Sequence, residues 1–340
     1  MNSKRLREIQ KLFSVSGEEE RMGKLFLEAF QKQGLKIASD RLGSVFGIHK
    51  SKTSGAYRVM VSSPLDRYGF MINDIHEDGT LGFLPLENMH PSSLLHQRVQ
   101  ILTRSYQLLE GVICDKAHHY AESFDHEVKG MCIDTGRTFQ EASRVFTIGD
   151  VACLHADMEW LNTHYISASS LHPAIFNEVV LEVMEELVQE EFPFDLALGG
   201  IGQSMIGYRG AKTITHVLQP DVSLVLTGFD GRCSNDGKTG GVLIGAFDKG
   251  MIPNRRLYQD VQDVLHAGMI TGALPNDGSF IHKTQKGAAA ISIGIFVRNM
   301  ATAVEMADER DIDALKEAIC TYLRALTPAK IKQFTFGREK

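Results

Sequence analysis

Four groups of residues in this sequence have types and spacings that chemistry uses. His118 and His119 stand side by side close to Asp115, so two imidazoles and a carboxylate could meet a divalent ion there. The alternative is an exposed or structural role, and His126, His155 and His164 are scattered without paired spacing. Gly199-Gly200-Ile201-Gly202 follows a strand-like run and resembles a phosphate-cradling turn, but it lacks the third glycine at the proper offset and an acidic residue about twenty positions on. Cys114, Cys132, Cys153, Cys233 and Cys320 form an odd set without C-x-x-C spacing, which fits neither a disulfide framework nor a zinc ribbon and reads as buried or incidental thiols. Glu182, Glu185, Glu186, Glu190 and Glu191 read as the solvated face and end of one helix.

The elements that would position any such site follow from hydrophobic pattern. With 340 residues, 43% hydrophobic and 23% charged, the chain is long enough for one large domain and a smaller one. A net charge of -6 and no run of basic residues beyond a pair argue against nucleic-acid or anionic-membrane partners. The basic stretch Met1 to Arg7 runs into Glu8-Ile9-Gln10-Lys11 rather than an apolar segment, and Gly287 to Val297 is too short to cross a bilayer, so a cytoplasmic location is expected.

Ser16-Gly17-Glu18-Glu19 has the form of a capping box before a helix reaching about Gln31, with Met22, Leu25, Phe26 and Ala29 on one face. Tyr57 to Ser62 reads as a buried strand. From Arg67 to Thr163 short alternating apolar segments replace helical periodicity, as in Gly69 to Asn73, Gly79 to Phe83, Val99 to Thr103 and Gly149 to Leu154, which predicts a small β-rich module. Helices then alternate with strands: Ala174 to Glu190, Arg209 to Leu218, Arg255 to Ala267 and Asp311 to Leu326 are helical, and Asp195 to Ile201, Val222 to Leu226 and Ala289 to Val297 extended. Continuous apolar strands between helices predict a three-layer α/β sandwich with a mostly parallel central sheet. The expected division is an α/β domain of residues 1–66 and 164–340, interrupted by a barrel-like domain at 67–163, with Lys330 to Lys340 a loosely attached end.

This order of elements and five local patterns resemble the glutamyl or deblocking aminopeptidase family, peptidase family forty-two, whose dinuclear metallopeptidases are often mislabelled endoglucanases. Ser63-Pro64-Leu65-Asp66-Arg67-Tyr68-Gly69-Phe70 corresponds to a family pattern near A-H-x-D-E-x-G-F, and Ile166 to Ala174 to I-x-A-K-A-x-D-N-R. Gln203 to Ala211 corresponds to Q-E-E-x-G-x-R-G-A, Pro220 to Thr227 to a strand ending in an aspartate ligand, and Ile293 to Ala301 to I-G-I-P-x-R-Y-x-H. Ile133-Asp134-Thr135-Gly136, Ile148-Gly149-Asp150, Asp277 and His282 match as well. Where the family carries metal ligands, a bridging carboxylate and a general-base glutamate, this chain has Pro64, His172, Ser204, Met205, Thr227 and Ala301.

Relatives use two divalent metals such as zinc or cobalt. The resemblance implies that the inherited site here holds no catalytic metal, because Pro64 and Ala301 have no donor atom, Met205 a soft thioether, Thr227 a weak neutral oxygen, and an imidazole at His172 cannot bridge two ions. Met205 and Met300 are then expected to fill the old pocket. Ser204, His172 and Asp66 converge by the same resemblance and could form a nucleophile, base and orienting carboxylate. Asp66, Arg209, Asp277 and Arg298 could hold a peptide or small polar ligand. Three functions stay open: a binding, scaffolding or regulatory homologue without hydrolysis, an active aminopeptidase with a rearranged metal site, and a modulating subunit of an active paralogue. Homo-oligomerisation through the inserted domain is expected on the same ground.

Overall fold

The computed structural model of the chain describes residues 1–87, 89–115 and 130–334; His118, His119, His126 and the last six residues lie outside them. The body is an eight-stranded sheet in the order Lys36–Ser39, Val45–His49, Asp195–Ile201, Arg58–Pro64, Val222–Phe229, Ala289–Phe296, Leu243–Asp248, Gly268–Ala273. Asp195–Ile201, Arg58–Pro64, Val222–Phe229 and Ala289–Phe296 run parallel to one another. Antiparallel pairings occur only toward the edges, at Val45–His49 and Leu243–Asp248.

Each central strand feeds two cores, because successive side chains leave opposite faces of a sheet. Val59 and Val61, Leu196 and Leu198, Leu224 and Leu226, and Ile291 and Ile293 join one core. Their intervening neighbours Met60, Ala197, Val225 and Ala290 join the other. The helix Leu171–Leu187, buried nearly all round, lies in the first layer with Glu309–Ala325 and Glu20–Lys32. Arg209–Leu218 and Gly278–Ile281 cover the opposite face. The result is the three-layer sandwich expected from the pattern.

Phe70–Ile75, Leu81–Pro85, Met131–Asp134, Leu108–Asp115, Arg98–Leu102 and Val151–Leu154 close into a six-stranded barrel. Phe70, Ile72, Leu81, Phe83, Val99, Ile101, Ile113 and Ile133 fill it, and Met205 and Ala301 of the body pack against the same cluster. The capping box found in the structure is Thr138 with Glu141, at a short helix Phe139–Val145 within this module. Ser16 and Glu19 do not form the one expected of them. The Ser16 hydroxyl donates to Asp66 Oδ2 at 2.6 Å, and Glu19 Oε1 accepts from the Gln203 backbone at 2.8 Å, so two tertiary contacts take both side chains away from the helix start. A small sheet of Glu159–Trp160, Tyr165–Ala168 and Glu305–Asp308 joins late and early parts of the chain. Among the described residues, no helix is long and apolar enough to cross a membrane.

Candidate functional site

The carboxyl ends of parallel strands are where α/β sheets place their ligand crevices, since backbone and side chains there face open space left by the loops. Pro64 ends one such strand, the turn after Ile201 carries Ser204 and Met205, Thr227 lies near the end of a third, and Met300 and Ala301 follow the fourth. With His172 these residues line one cavity of about 280 Å³ that also meets Tyr68, Glu87, Tyr208, Leu226, Leu274 and Asp277. All six positions singled out in the sequence thus surround one space, although as many as 237 positions separate Pro64 from Ala301 (301 minus 64).

The glycines of Gly199-Gly200-Ile201-Gly202 serve packing here. A Cβ on Gly199 would lie 2.2 Å from the Val45 carbonyl oxygen, one on Gly200 2.1 Å from Leu65, and one on Gly202 2.4 Å from the Leu42 carbonyl oxygen. Around the cavity rim the backbone is left-handed at Gln203, Tyr208, Asn299 and Ala301, with φ of 55°, 59°, 57° and 60°. Such residues cost of order 1–3 kcal/mol each and persist where the surroundings over-determine them.

Three buried carboxyl groups lie at or behind the cavity wall. Asp66 accepts from Ser204 N at 2.9 Å, Met205 N at 2.8 Å and the Ser16 hydroxyl. Burial, and next the neighbouring charge of Glu19, push it up to about 7 against the pull of those donors. Asp277 accepts from the Ser204 hydroxyl at 2.8 Å through Oδ2, while its buried Oδ1 has no protein partner. Burial pushes this carboxyl up to about 7 as well, with the Ser204 hydrogen bond opposing it. Glu305, with no exposed surface, accepts from the backbone N–H of His172 at 3.0 Å and of Ala301 at 3.1 Å, and pairs with His172 Nδ1 at 2.9 Å. The Tyr68 phenol beside this group is raised well above its ordinary range, first by burial and then by Glu305. Tyr208 closes another side, donating its hydroxyl to Pro275 O at 2.6 Å.

This geometry corrects the nucleophile–base–acid arrangement considered for Ser204, His172 and Asp66. The Ser204 hydroxyl donates to Asp277, His172 Nδ1 is held by Glu305, and Asp66 is occupied by backbone donors, so the three side chains do not bond to one another. Two of the four residues suggested for ligand contact also sit elsewhere. Arg209 is exposed at the first turn of its helix, and Arg298 bonds the Tyr165 hydroxyl at 2.7 Å with its guanidinium 4.7 Å over that ring; neither lines the cavity. Asp277 lines it, and Asp66 lies just behind Ser204 and Met205. Glu305, Tyr68 and Glu87 escaped sequence reasoning. A carboxylate next to Met306-Ala307 in a short strand was the available signal for Glu305, but its partner is 133 positions away.

The chain is thus a three-layer α/β body with a closed barrel inserted after its third strand and a crevice at the strand ends. A family model described as M42 glutamyl aminopeptidase matches residues 43–317, and the chain belongs to that family. It is 26% identical, over its full length and 99% of the relative, to the putative aminopeptidase FrvX of Escherichia coli (strain K12). The TET aminopeptidase from the marine sediment archaeon Thaumarchaeota archaeon SCGC AB-539-E09 has the same fold, with a TM-score of 0.88 at 23% identity over 98% of each chain. So has the Pyrococcus horikoshii TET1 peptidase, described as assembling into a tetrahedron or a large octahedral shell, with a TM-score of 0.83 at 22% identity over 94% of this chain and 98% of that one.

Proposed function

We propose that this member of the M42 family uses its cavity for binding rather than for dinuclear metal hydrolysis. The observation that carries the reading is that Pro64, His172, Ser204, Met205, Thr227 and Ala301 all line one cavity, and none is a carboxylate. Two divalent ions need several hard oxygen or nitrogen donors that are free to coordinate. Of the carboxyls at hand, Asp66 and Glu305 are already held by backbone N–H groups, and the lining itself carries two more, Glu87 and Asp277, the latter taking the Ser204 hydroxyl on one oxygen. Among the described residues no cluster of three or more His, Cys, Asp or Glu has the geometry to hold a metal ion. The donor set present therefore does not fit a pair of catalytic ions.

What the cavity offers is an apolar wall of Met205, Leu226, Leu274 and Met300 with the imidazole of His172 and the buried, unpartnered Oδ1 of Asp277. That combination suits a small ligand or peptide end with an apolar body and a hydrogen-bond donor. Self-association through the inserted module, residues 67–163, belongs to the same reading. Leu84, Tyr106, Val112 and Ile148, among the large apolar side chains that stay exposed, lie on that module.

The test is dialysis of the protein against zinc, manganese or cobalt, followed by elemental analysis and by leucyl- and glutamyl-anilide hydrolysis with and without added cobalt. The expected outcome is less than one tightly held ion per chain and no turnover. Two bound equivalents, or turnover lost to a chelator, would establish the aminopeptidase reading instead.

A further inference from the structure

Cys114 and Cys132, which show no telling spacing in the sequence, meet across two strands of the barrel wall with their sulfurs 3.4 Å apart. They are register partners between Leu108–Asp115 and Met131–Asp134. Ile113 turns both its backbone groups the other way, donating to Gln97 O at 2.9 Å and accepting from His96 N at 2.8 Å. By the alternation of antiparallel strands, Cys114 therefore faces Cys132 as a hydrogen-bonded pair, for which the Cα separation is about 5.5 Å. That value lies in the range disulfides occupy, and closing the sulfurs to about 2.05 Å asks for side-chain rotation and a small approach of the two strands. The barrel-filling side chains of these strands are Ile113 and Ile133, so the two cysteines stand on the outer face.

We infer that Cys114 and Cys132 form a reversible intramolecular disulfide site, opened to small disulfide oxidants such as oxidised glutathione. Cys114, half-buried where Cys132 is buried, is the sulfur an oxidant reaches first. Its thiolate attacks one sulfur of the incoming disulfide, forming a mixed disulfide and releasing one glutathione thiolate. The Cys132 thiolate then attacks the Cys114 sulfur, forming the Cys114–Cys132 bond and releasing the second glutathione. The two cysteines give up two electrons and two protons, and the oxidant leaves as two thiols. Burial and then the neighbouring Cys132 thiol push Cys114 up to about 12, so its thiolate is scarce near neutrality and the reaction gains about tenfold in rate per pH unit. Cys233, exposed and without a thiol neighbour, is the internal control, while Cys153 and Cys320 are buried singly.

The experiment treats the native full-length protein with oxidised glutathione at about pH 8.5, blocks the remaining thiols with iodoacetamide and maps the peptides. The expected result is a cross-linked Cys114–Cys132 peptide pair lighter by two hydrogens, reversed by dithiothreitol, together with a glutathione adduct on Cys233. In Cys114→Ser, Cys132 is expected to stay alkylatable only after unfolding. The inference is overturned if Cys114 keeps glutathione while Cys132 stays free, or if both remain thiols after Cys233 has reacted. A cross-link in the unmodified chain settles the matter even where a variant fails to fold.

Discussion

The back of the cavity and its walls use their polar atoms in opposite ways. At the back, Asp66 and Glu305 are sealed from water, and each binds donors from separate parts of the chain: Ser16 and the Ser204–Met205 backbone at Asp66, His172 and Ala301 at Glu305. On the walls, Pro64, Met205, Thr227 and Ala301 bring little or no charge and lean on apolar neighbours such as Met300 and the barrel core. A carboxylate that satisfies several buried donors cannot leave without orphaning them. One whose task was to meet a ligand can be replaced at small cost to the fold. The difference explains how chemistry-bearing positions can change while the frame around them persists.

The strongest way to test this contrast is Asp66→Ala, which strands Ser204 N, Met205 N and the Ser16 hydroxyl and is expected to cost about 4 kcal/mol in urea unfolding. A loss under about 1 kcal/mol would show that the back of the cavity is no more structural than its walls. Glu305→Gln keeps one acceptor and loses the charge facing His172, for an expected cost of about 2–3 kcal/mol by the same measurement.

Proton linkage gives the next effect. Folding lifts Asp66 and Asp277 from 3.8 to about 7, so the folded chain keeps protons that the unfolded chain has released over that window. Their contribution to stability therefore falls as pH rises from about 4 to about 7 and then levels off. Asp277→Asn should flatten the fall by up to about 4 kcal/mol between those limits, read from denaturation midpoints across the pH series. An unchanged slope would mean that Asp277 does not titrate there. The smallest change belongs to the walls: Met205→Leu, which nearly conserves volume, is expected to cost under about 1.5 kcal/mol, and a larger loss would mean that the wall too is a structural element.

How much of this the sequence disclosed varied with the kind of force involved. Asp195–Ile201 and Arg209–Leu218 were readable residue for residue, because a strand buried on both faces and an amphipathic helix both write their environment into hydrophobic pattern. Leu243–Asp248, one place in from the edge, and the edge strand Gly268–Ala273 escaped, since their glycines and partly exposed positions carry a weaker period. The barrel was legible as a change of texture, though its closure and strand order were not. At the site, local motifs pointed to the six wall positions. The carboxyls behind them divide otherwise: Asp66 could be picked out, whereas its capture by Ser16, and the pairing of Glu305 with His172, depend on approaches that no local spacing records.

The run Gly199-Gly200-Gly202 has a consequence for how this protein tolerates change. Added methyl groups there would overlap the carbonyl oxygens of Val45 and Leu42 or the side chain of Leu65, so neighbouring chain segments must separate to admit even alanine. A saturation survey scored only on folding would accordingly mark this seam as forbidding and pass lightly over the lining of the cleft. Intolerance in such a map would trace where main chains touch, and a search for the binding residues would do better among positions that accept substitution while altering what the protein holds.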